Sequence, residues 1–178
     1  MSKKWYAVFS ISLLLSVVLS MIGCSGGGTT TTTTTGGIKA KTGDTIKVTY
    51  TGMFQDGEIF DTNDVEGGVP FEFTLGENKV IVGFENAVIG MAVGETKTVT
   101  ILPKDAYGEY NTTKTTTIQR SQLSDSNVKV GDELLLSEYY SIFTITAVSE
   151  TTVTGYLNHY LAGETLIFKI KLLEIKAK

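Results

Sequence analysis

The fold of this chain is indicated best by YTGMFQDGEIFD, residues 50–61, in which Tyr50, Phe54 and Phe60 precede Asp61. Three further stretches follow in the chain, and each of them also carries aromatic side chains. They are PFEFTLGENKVIVGFENAVIGM from Pro70, LPKDAYG from Leu102 and LNHYLAGETLIFKIKLLEI from Leu157. All four lie between residues 38 and 176.

The sequence around these stretches has mainly the period of half-buried β-strands. Apolar and polar residues alternate from Ile46 to Thr51, and the pattern recurs in residues 96–102 and 165–173. The one helix indicated by the sequence has Phe84, Ala87, Val88 and Met91 at helical spacing, with Gly90 placed to end it. One short helix packed on a twisted antiparallel sheet predicts an α+β fold.

Residues 109–156 differ in character, because they are rich in threonine and contain no proline. Two segments, 133–136 and 142–148, have β-rich compositions, and 149–152 is a plausible turn into a strand at 153–156. An unstructured loop of this length is improbable inside a compact domain. We therefore predict a small inserted β domain, which can bury only a thin core.

Residues 1–23 are interpreted as a signal peptide, because Lys3 and Lys4 precede an almost uninterrupted apolar stretch over residues 5–22. Cys24 follows directly, and as the only cysteine it excludes an intramolecular disulfide. Its position resembles a bacterial-type lipobox, which implies lipidation and an extracytoplasmic, membrane-anchored protein. The alternative is an uncleaved anchor, since about 18 apolar residues can already span a bilayer.

Residues 24–37 are predicted to form a Gly/Thr-rich linker, because they include seven consecutive threonines and almost no apolar side chain. These threonines and Asn111, which begins the sequon Asn-Thr-Thr, could carry glycans outside the cell, the alternative being unmodified polar surface. The formal charge is −4 and would be −6 without Lys3 and Lys4. An acidic chain without a basic patch argues against nucleic acid as a partner.

In order and spacing, the four stretches resemble the FKBP-type peptidyl-prolyl cis-trans isomerases. The long gap between the third and fourth resembles the SlyD-like branch of that family, and the only two prolines, Pro70 and Pro103, stand where its pattern has them. The resemblance implies an FKBP-like catalytic domain of residues 38–108 and 157–178. It also implies that residues 109–156 are an insert-in-flap domain, which in SlyD-like proteins lies over the active site and binds unfolded chains.

The implied function is prolyl isomerisation that assists the folding of extracytoplasmic proteins. Partners would be unfolded or proline-containing polypeptides, with no cofactor, and we expect a monomer. Exposed strand residues of the insert, such as Leu134, Leu136, Tyr140 and Ile142, would hold these clients. A metal is not expected, because one histidine and one lipidated cysteine cannot form a ligand cluster.

Prolyl isomerisation needs little from conventional catalytic groups. Rotation about an X-Pro bond faces a barrier of about 18–20 kcal/mol and takes tens to hundreds of seconds unaided. The twisted amide has lost its resonance dipole, so an apolar pocket with one or two hydrogen-bond donors favours the transition state over the planar ground state.

The resemblance assigns roles in such a pocket to eleven residues. Aromatic side chains would form its walls and floor, two residues before the helix would give a wall and a backbone amide, and three would stand at its rim. Asp61 would polarise the twisting bond or orient its neighbours, and the hydroxyl of Tyr107 would donate to the substrate. The set is Tyr50, Phe60, Asp61, Phe71, Val80, Ile81, Phe84, Ala106, Tyr107, Tyr160 and Phe168.

Each of these residues also has a simpler interpretation. An aromatic residue on a strand, such as Phe73 or Phe168 taken singly, is more often part of the core than of a site. Asp61 before Thr62 and Asn63 would by itself be a turn carboxylate. His159, the only histidine, is interpreted as a turn residue that makes local hydrogen bonds. Only the joint occurrence of the four stretches favours the site.

Several residues depart from the family pattern. Phe84 replaces the tryptophan found on the pocket floor of many members, and Tyr160 stands where SlyD-like chains often have proline. Tyr160 could narrow substrate choice or supply a second donor, and Lys79 and Asp105 differ from the best-known small members. Two alternatives to an isomerase remain open from the sequence: a non-catalytic membrane-tethered chaperone or binding module on the same fold, and an adhesion lipoprotein with purely structural β domains.

Overall fold

The computed structural model describes residues 37–123, 127–136 and 140–178. The predicted signal peptide and Cys24 lie outside these ranges, as does the predicted linker apart from its last residue. Within the ranges given, no helix is long and apolar enough to cross a membrane.

A first antiparallel sheet is built around two long paired strands, β1 (Thr45–Met53) and β9 (Leu166–Lys176). The other edge of β9 pairs with β4 (Thr96–Ile101). On the far side of β1, β3 (Phe71–Thr74) pairs with its first half and β2 (Ile59–Thr62) with its second half. The five strands therefore form one sheet in which β1 and β9 are central.

The buried face of this sheet follows the predicted alternation. In β1 the side chains of Ile46 and Val48 are fully buried, and in β9 alternate residues from Leu166 to Leu172 are buried. These side chains form one core cluster with Phe73. The strands predicted in residues 46–51, 96–102 and 165–173 are thus confirmed, as is the α+β fold class.

The predicted helix is α1 (Val82–Val88), and it packs its apolar side on this core. Phe84, Ala87 and Val88 are buried, and Gly90 follows the helix with a φ of +84°, a conformation that favours glycine. At Gly83 a Cβ atom would lie only 2.3 Å from the Cγ2 of Ile101, so glycine allows the helix to approach β4.

A second antiparallel sheet contains β5 (Thr115–Gln119), β6 (Glu133–Leu136), β7 (Ser141–Val148) and β8 (Thr152–His159), in the order β5-β8-β7-β6. It has its own cluster of buried side chains, which is separate from the core of the first sheet. The fully buried or nearly buried members are Val128, Phe143, Ile145 and Val153.

Most of the strand predictions for this region are confirmed. The turn at 149–152 forms, with the N–H of Ser149 donating to the carbonyl of Thr152 at 2.8 Å. Strand β5 was not predicted, and β8 continues three residues beyond the predicted boundary at residue 156. Of the four insert residues expected to be exposed, Tyr140 is 68% exposed, but the expectation is wrong for Leu134 and Leu136, which pack against the second cluster, and for Ile142, which is partly buried. Leu135, between the two leucines, is 67% exposed.

The chain passes between the two sheets at residues 108–114 and 160–165, and hydrogen bonds join the first of these segments to β8 and to the second segment. The side chain of Asn158 accepts from the N–H of Asn111 at 2.8 Å and donates to its carbonyl at 2.9 Å. The N–H of Gly163 donates to the carbonyl of Gly108 at 2.8 Å. Both sheets belong to one compact unit, Gly36–Lys178.

Candidate active site

A cavity of about 360 Å³ opens on the first sheet beside the start of α1. Its walls come from β1, β2, β3 and β9 together with the segment before the helix, and Tyr107 stands at its rim. The lining residues are Tyr50, Phe60, Asp61, Phe71, Asn78, Lys79, Val80, Ile81, Phe84, Tyr107 and Phe168.

The aromatic rings at the base of the cavity are packed mainly edge to face. Phe84 and Phe168 meet with ring centroids 5.3 Å apart and planes at 88°, and Tyr50 meets Phe84 at 5.7 Å and 85°. Phe60 meets Phe168 at 5.6 Å and 86°. These are the separations and angles at which aromatic pairs attract each other, so the base is a preformed apolar surface.

Glycine at position 52 allows two of these rings to meet. Gly52 lies on β1 opposite Phe168 of β9 and Asp61 of β2. A Cβ atom there would lie 2.7 Å from the Cζ of Phe60 and 2.9 Å from the Cε1 of Phe168. Any larger residue would displace the rings, so the close approach requires glycine.

The carboxylate of Asp61 is oriented by a tyrosine of the neighbouring strand. The hydroxyl of Tyr50 donates to the Oδ2 of Asp61 at 2.6 Å, a length typical of a hydrogen bond to a charged acceptor. Burial raises the pKa of Tyr50 far above its usual range, and the hydrogen bond to Asp61 raises it further. Tyr50 therefore remains a neutral donor that holds the carboxylate at the wall of the cavity.

The side chain of Asn63 supports Tyr50 and Asp61 through hydrogen bonds to the backbone. Its Oδ1 accepts from the N–H of Tyr50 at 2.7 Å, and its Nδ2 donates to the carbonyls of Val48 and Val69 at 3.2 and 3.1 Å. The side chain thus connects β1 with the end of β2 and with the segment that leads to Phe71. Asn63 is a positioning residue that the sequence did not single out.

At the rim, Tyr107 is held by stacking on His159. The two rings are 4.1 Å apart and within 7° of parallel. The Nδ1 of His159 accepts from the N–H of Leu161 at 3.1 Å, which confirms the predicted local hydrogen bond, but His159 is the last residue of β8 and not a turn residue as predicted. Burial lowers the pKa of His159. Burial raises the pKa of Tyr107, and the negative charge of Asp61 raises it further. Both rings are therefore neutral near pH 7.

The segment that leads into the helix forms another part of the cavity wall. Ile81 is the N-cap of α1, with extended backbone angles, so its N–H precedes the helical hydrogen-bond ladder. Asn78 has a φ of +54°, which turns the chain so that Lys79, Val80 and Ile81 face the cavity. The ammonium of Lys79 pairs with Glu77 at 2.9 Å and is well exposed.

Nine of the eleven residues assigned by resemblance line this cavity. Ala106 does not; it is partly buried and packs against the core of the first sheet. Tyr160 lines a second, adjoining cavity instead. Phe73 is in the core, as its simpler interpretation has it, and Asp61 lies within β2 rather than in a turn.

The sequence did not single out Asn78 as a lining residue, nor Tyr140 and His159 as residues of the second cavity. The only sequence signal that could have pointed to Asn78 was the change from a strand pattern to the start of the helix. No sequence signal indicates that Tyr140 lies near His159 and Tyr160, because that contact depends on how β7 and β8 pair.

Comparisons with known proteins point to one family. A family model described as FKBP-type peptidyl-prolyl cis-trans isomerase matches residues 36–173. The short-type peptidyl-prolyl cis-trans isomerase of Methanocaldococcus jannaschii is 34% identical over 148 residues, which cover 76% of this chain and 94% of that protein. The FKBP-type peptidyl-prolyl cis-trans isomerase SlyD of Pasteurella multocida is 30% identical over 71% of this chain and 64% of its own length.

A eukaryotic relative matches a shorter part. FK506-binding protein 2 of Yarrowia lipolytica is 48% identical over 71 residues, which is 40% of this chain and 49% of that protein.

Proposed function

Because the chain belongs to the FKBP-type peptidyl-prolyl cis-trans isomerases, we propose that the cavity lined by Tyr50, Phe60, Phe84 and Phe168 is its active site. The enzyme acts on X-Pro bonds of polypeptides. The observation that carries the assignment is that all four of these rings line one cavity together with the carboxylate of Asp61. Its volume of about 360 Å³ is in the range of small-molecule sites and leaves room for a prolyl ring.

The apolar base lowers the barrier by excluding water from the twisting amide. A planar amide carries a large dipole that water stabilises, whereas the twisted amide has lost this resonance. Rings that replace water therefore destabilise the planar state relative to the twisted one. Phe84 and Phe168, which both line the cavity, supply this surface.

Three polar groups complete the site in this proposal. The N–H of Ile81 donates to a substrate carbonyl, because the helix does not use it. The hydroxyl of Tyr107 donates from the rim. Asp61, oriented by Tyr50, faces the bond that rotates and favours the charge distribution of the twisted amide.

The test is the kcat/KM for isomerisation of a proline-containing tetrapeptide by the wild type and by Tyr107→Phe. Removal of one donor should cost about 1 kcal/mol, or about fivefold in rate. Thermal unfolding should stay unchanged, because Tyr107 lies at the rim and is 38% exposed. An unaltered rate would remove the hydroxyl from the mechanism.

We further propose that the second sheet is a SlyD-like insert, corresponding to residues 109–156, that holds unfolded clients next to the active site. Its separate core supports this reading, as do the large apolar side chains it exposes. Val130 is 62% exposed, Leu135 67% and Tyr140 68%. A client bound there would be at high local concentration near the cavity.

The client proposal is tested by comparing a tetrapeptide with a protein whose refolding is limited by proline isomerisation. The double variant Val130→Ser and Leu135→Ser should keep its rate on the tetrapeptide and lose several-fold on the protein. Val93→Ser is the matched control, because it removes a 53% exposed valine outside the second sheet. Equal losses on both substrates would show that the second sheet supports the cavity rather than the client.

We also propose that the enzyme works outside the cytoplasm, tethered to a membrane through lipid on Cys24. The support is the order of charge, apolar stretch and cysteine in residues 1–24, followed by a polar spacer. Cys24→Ser should abolish lipid labelling and leave the precursor uncleaved. Unchanged labelling of the variant would rule out this attachment, and an unlabelled wild type would favour a simple signal or an anchor.

A further inference from the structure

A second cavity, of about 330 Å³, adjoins the proposed active site. It shares Phe60, Asp61 and Tyr107 with the first cavity, so the two are neighbouring compartments with common walls. The remaining walls belong to the second sheet and its exit: Tyr140, His159 and Tyr160.

Contacts between these residues fix the shape of the second compartment. The N–H of Tyr160 donates to the carbonyl of Tyr140 at 2.9 Å, and the two rings are 6.2 Å apart. His159 lies 4.9 Å from the ring of Tyr160 and is stacked on Tyr107. Aromatic rings therefore line the compartment on several sides, whereas the first cavity has its rings at the base.

Among the described residues that line the compartment, one carries a negative charge and none carries a positive charge near neutral pH. Burial raises the pKa values of Tyr107 and Tyr160, so both phenols remain neutral. Burial lowers the pKa of His159, so the imidazole is also uncharged. The carboxylate of Asp61 is then the only formal charge among the six lining residues.

We propose that this compartment binds the cationic side chain of a lysine or arginine that adjoins the substrate proline. The inference rests on the proposed function, in which the prolyl ring occupies the first cavity. Because the walls are shared and consecutive Cα atoms are about 3.8 Å apart, the neighbouring residue reaches the second compartment.

The chemistry of the walls selects a cation. An ammonium or guanidinium is attracted by the faces of tyrosine rings and by the carboxylate of Asp61. A neutral side chain of the same length gains neither attraction, and a glutamate is repelled by Asp61. The acidic net charge of the chain attracts the same substrates from a distance.

The experiment compares lysine with acetyl-lysine, which has a similar length but no charge. Tetrapeptides carry either residue directly before or directly after the proline, and kcat/KM for isomerisation is measured at low salt and neutral pH. We expect lysine to be favoured about three- to tenfold on one side of the proline, and the ratio to fall as salt is added.

Variants of Tyr140 test the compartment itself, because this side chain is largely exposed and lies outside the proposed active site. Tyr140→Leu removes the ring and should reduce the lysine preference to about twofold or less, whereas Tyr140→Phe keeps the ring face and the preference. Asp61→Asn should lower both the preference and the overall rate.

A lysine to acetyl-lysine ratio near one on both sides of the proline would overturn the inference. So would a ratio that Tyr140→Leu leaves unchanged. In either case the proposed active site would remain supported if the acetyl-lysine peptides are turned over normally and Asp61→Asn lowers that turnover. Absence of turnover for every peptide would overturn the proposed active site and the inference together.

Discussion

The hydrogen bond between Tyr50 and Asp61 gives the sharpest prediction about catalysis. Tyr50→Phe keeps the ring that packs on Phe84 but removes the hydroxyl that donates to Asp61 at 2.6 Å. Hydrogen bonds to charged groups contribute about 1.5–3 kcal/mol, and this one is partly open to solvent. We expect a loss of about 1 kcal/mol in transition-state stabilisation, or about fivefold in kcat/KM for a tetrapeptide.

A double-mutant cycle shows whether the hydroxyl acts through the carboxylate. Asp61→Asn should lower the rate by itself, and adding Tyr50→Phe should then cost little more. The coupling between the two sites should be about 1 kcal/mol. Tyr110→Phe serves as control, because it removes a tyrosine hydroxyl that bonds Thr144 in the second sheet. Its peptide rate should match the wild type.

Two results would refute this reasoning. Losses that simply add in the double variant would mean that Tyr50 contributes independently of Asp61. Wild-type rates for both single variants, with intact thermal unfolding, would mean that the carboxylate takes no part in the reaction.

Three further predictions concern the walls and the rim. Phe168→Ala should cost about 3–5 kcal/mol of stability and most of the peptide turnover. Phe143→Ala, in the second core, should cost similar stability but leave the turnover of folded molecules near that of the wild type. Thermal unfolding and rate assays check both variants. Gly52→Ala should displace two rings, with a loss of about 1–3 kcal/mol and a slower rate by the same assays. The lowered pKa of His159 means that the unfolded chain binds its proton first, so stability should fall as pH drops below about 6.5. His159→Asn keeps an acceptor for the N–H of Leu161. In unfolding measurements over a series of pH values, this variant should not show the fall in stability below about pH 6.5 that is due to His159.

The sequence predicted the parts of the fold whose burial follows a regular period. Strands β1 and β9 alternate cleanly because one face of each is buried, and Phe84 and Val88 mark the buried side of α1. Strand β5 escaped prediction because its threonines carry no apolar alternation; it forms by pairing with β8. The exposure of Leu135 was missed for a related reason, since four residues of β6 cannot by themselves show which face is buried.

The site was predicted in part for a different reason. Aromatic residues such as Phe60 and Phe168 could be assigned because the ordered stretches resemble a family. The bracing by Asn63 and the contact of Tyr140 with Tyr160 depend on strand register and on the return of the chain from the second sheet. Neither follows from any local pattern, which is why both emerged only from the structure.

The most direct test of the proposed active site is an NMR exchange experiment on an X-Pro tetrapeptide with the wild-type protein. We expect accelerated cis-trans exchange of the peptide, together with shift changes that are largest at Asp61, Ile81 and Tyr107. No acceleration, or acceleration with shift changes confined to the second sheet, would contradict it.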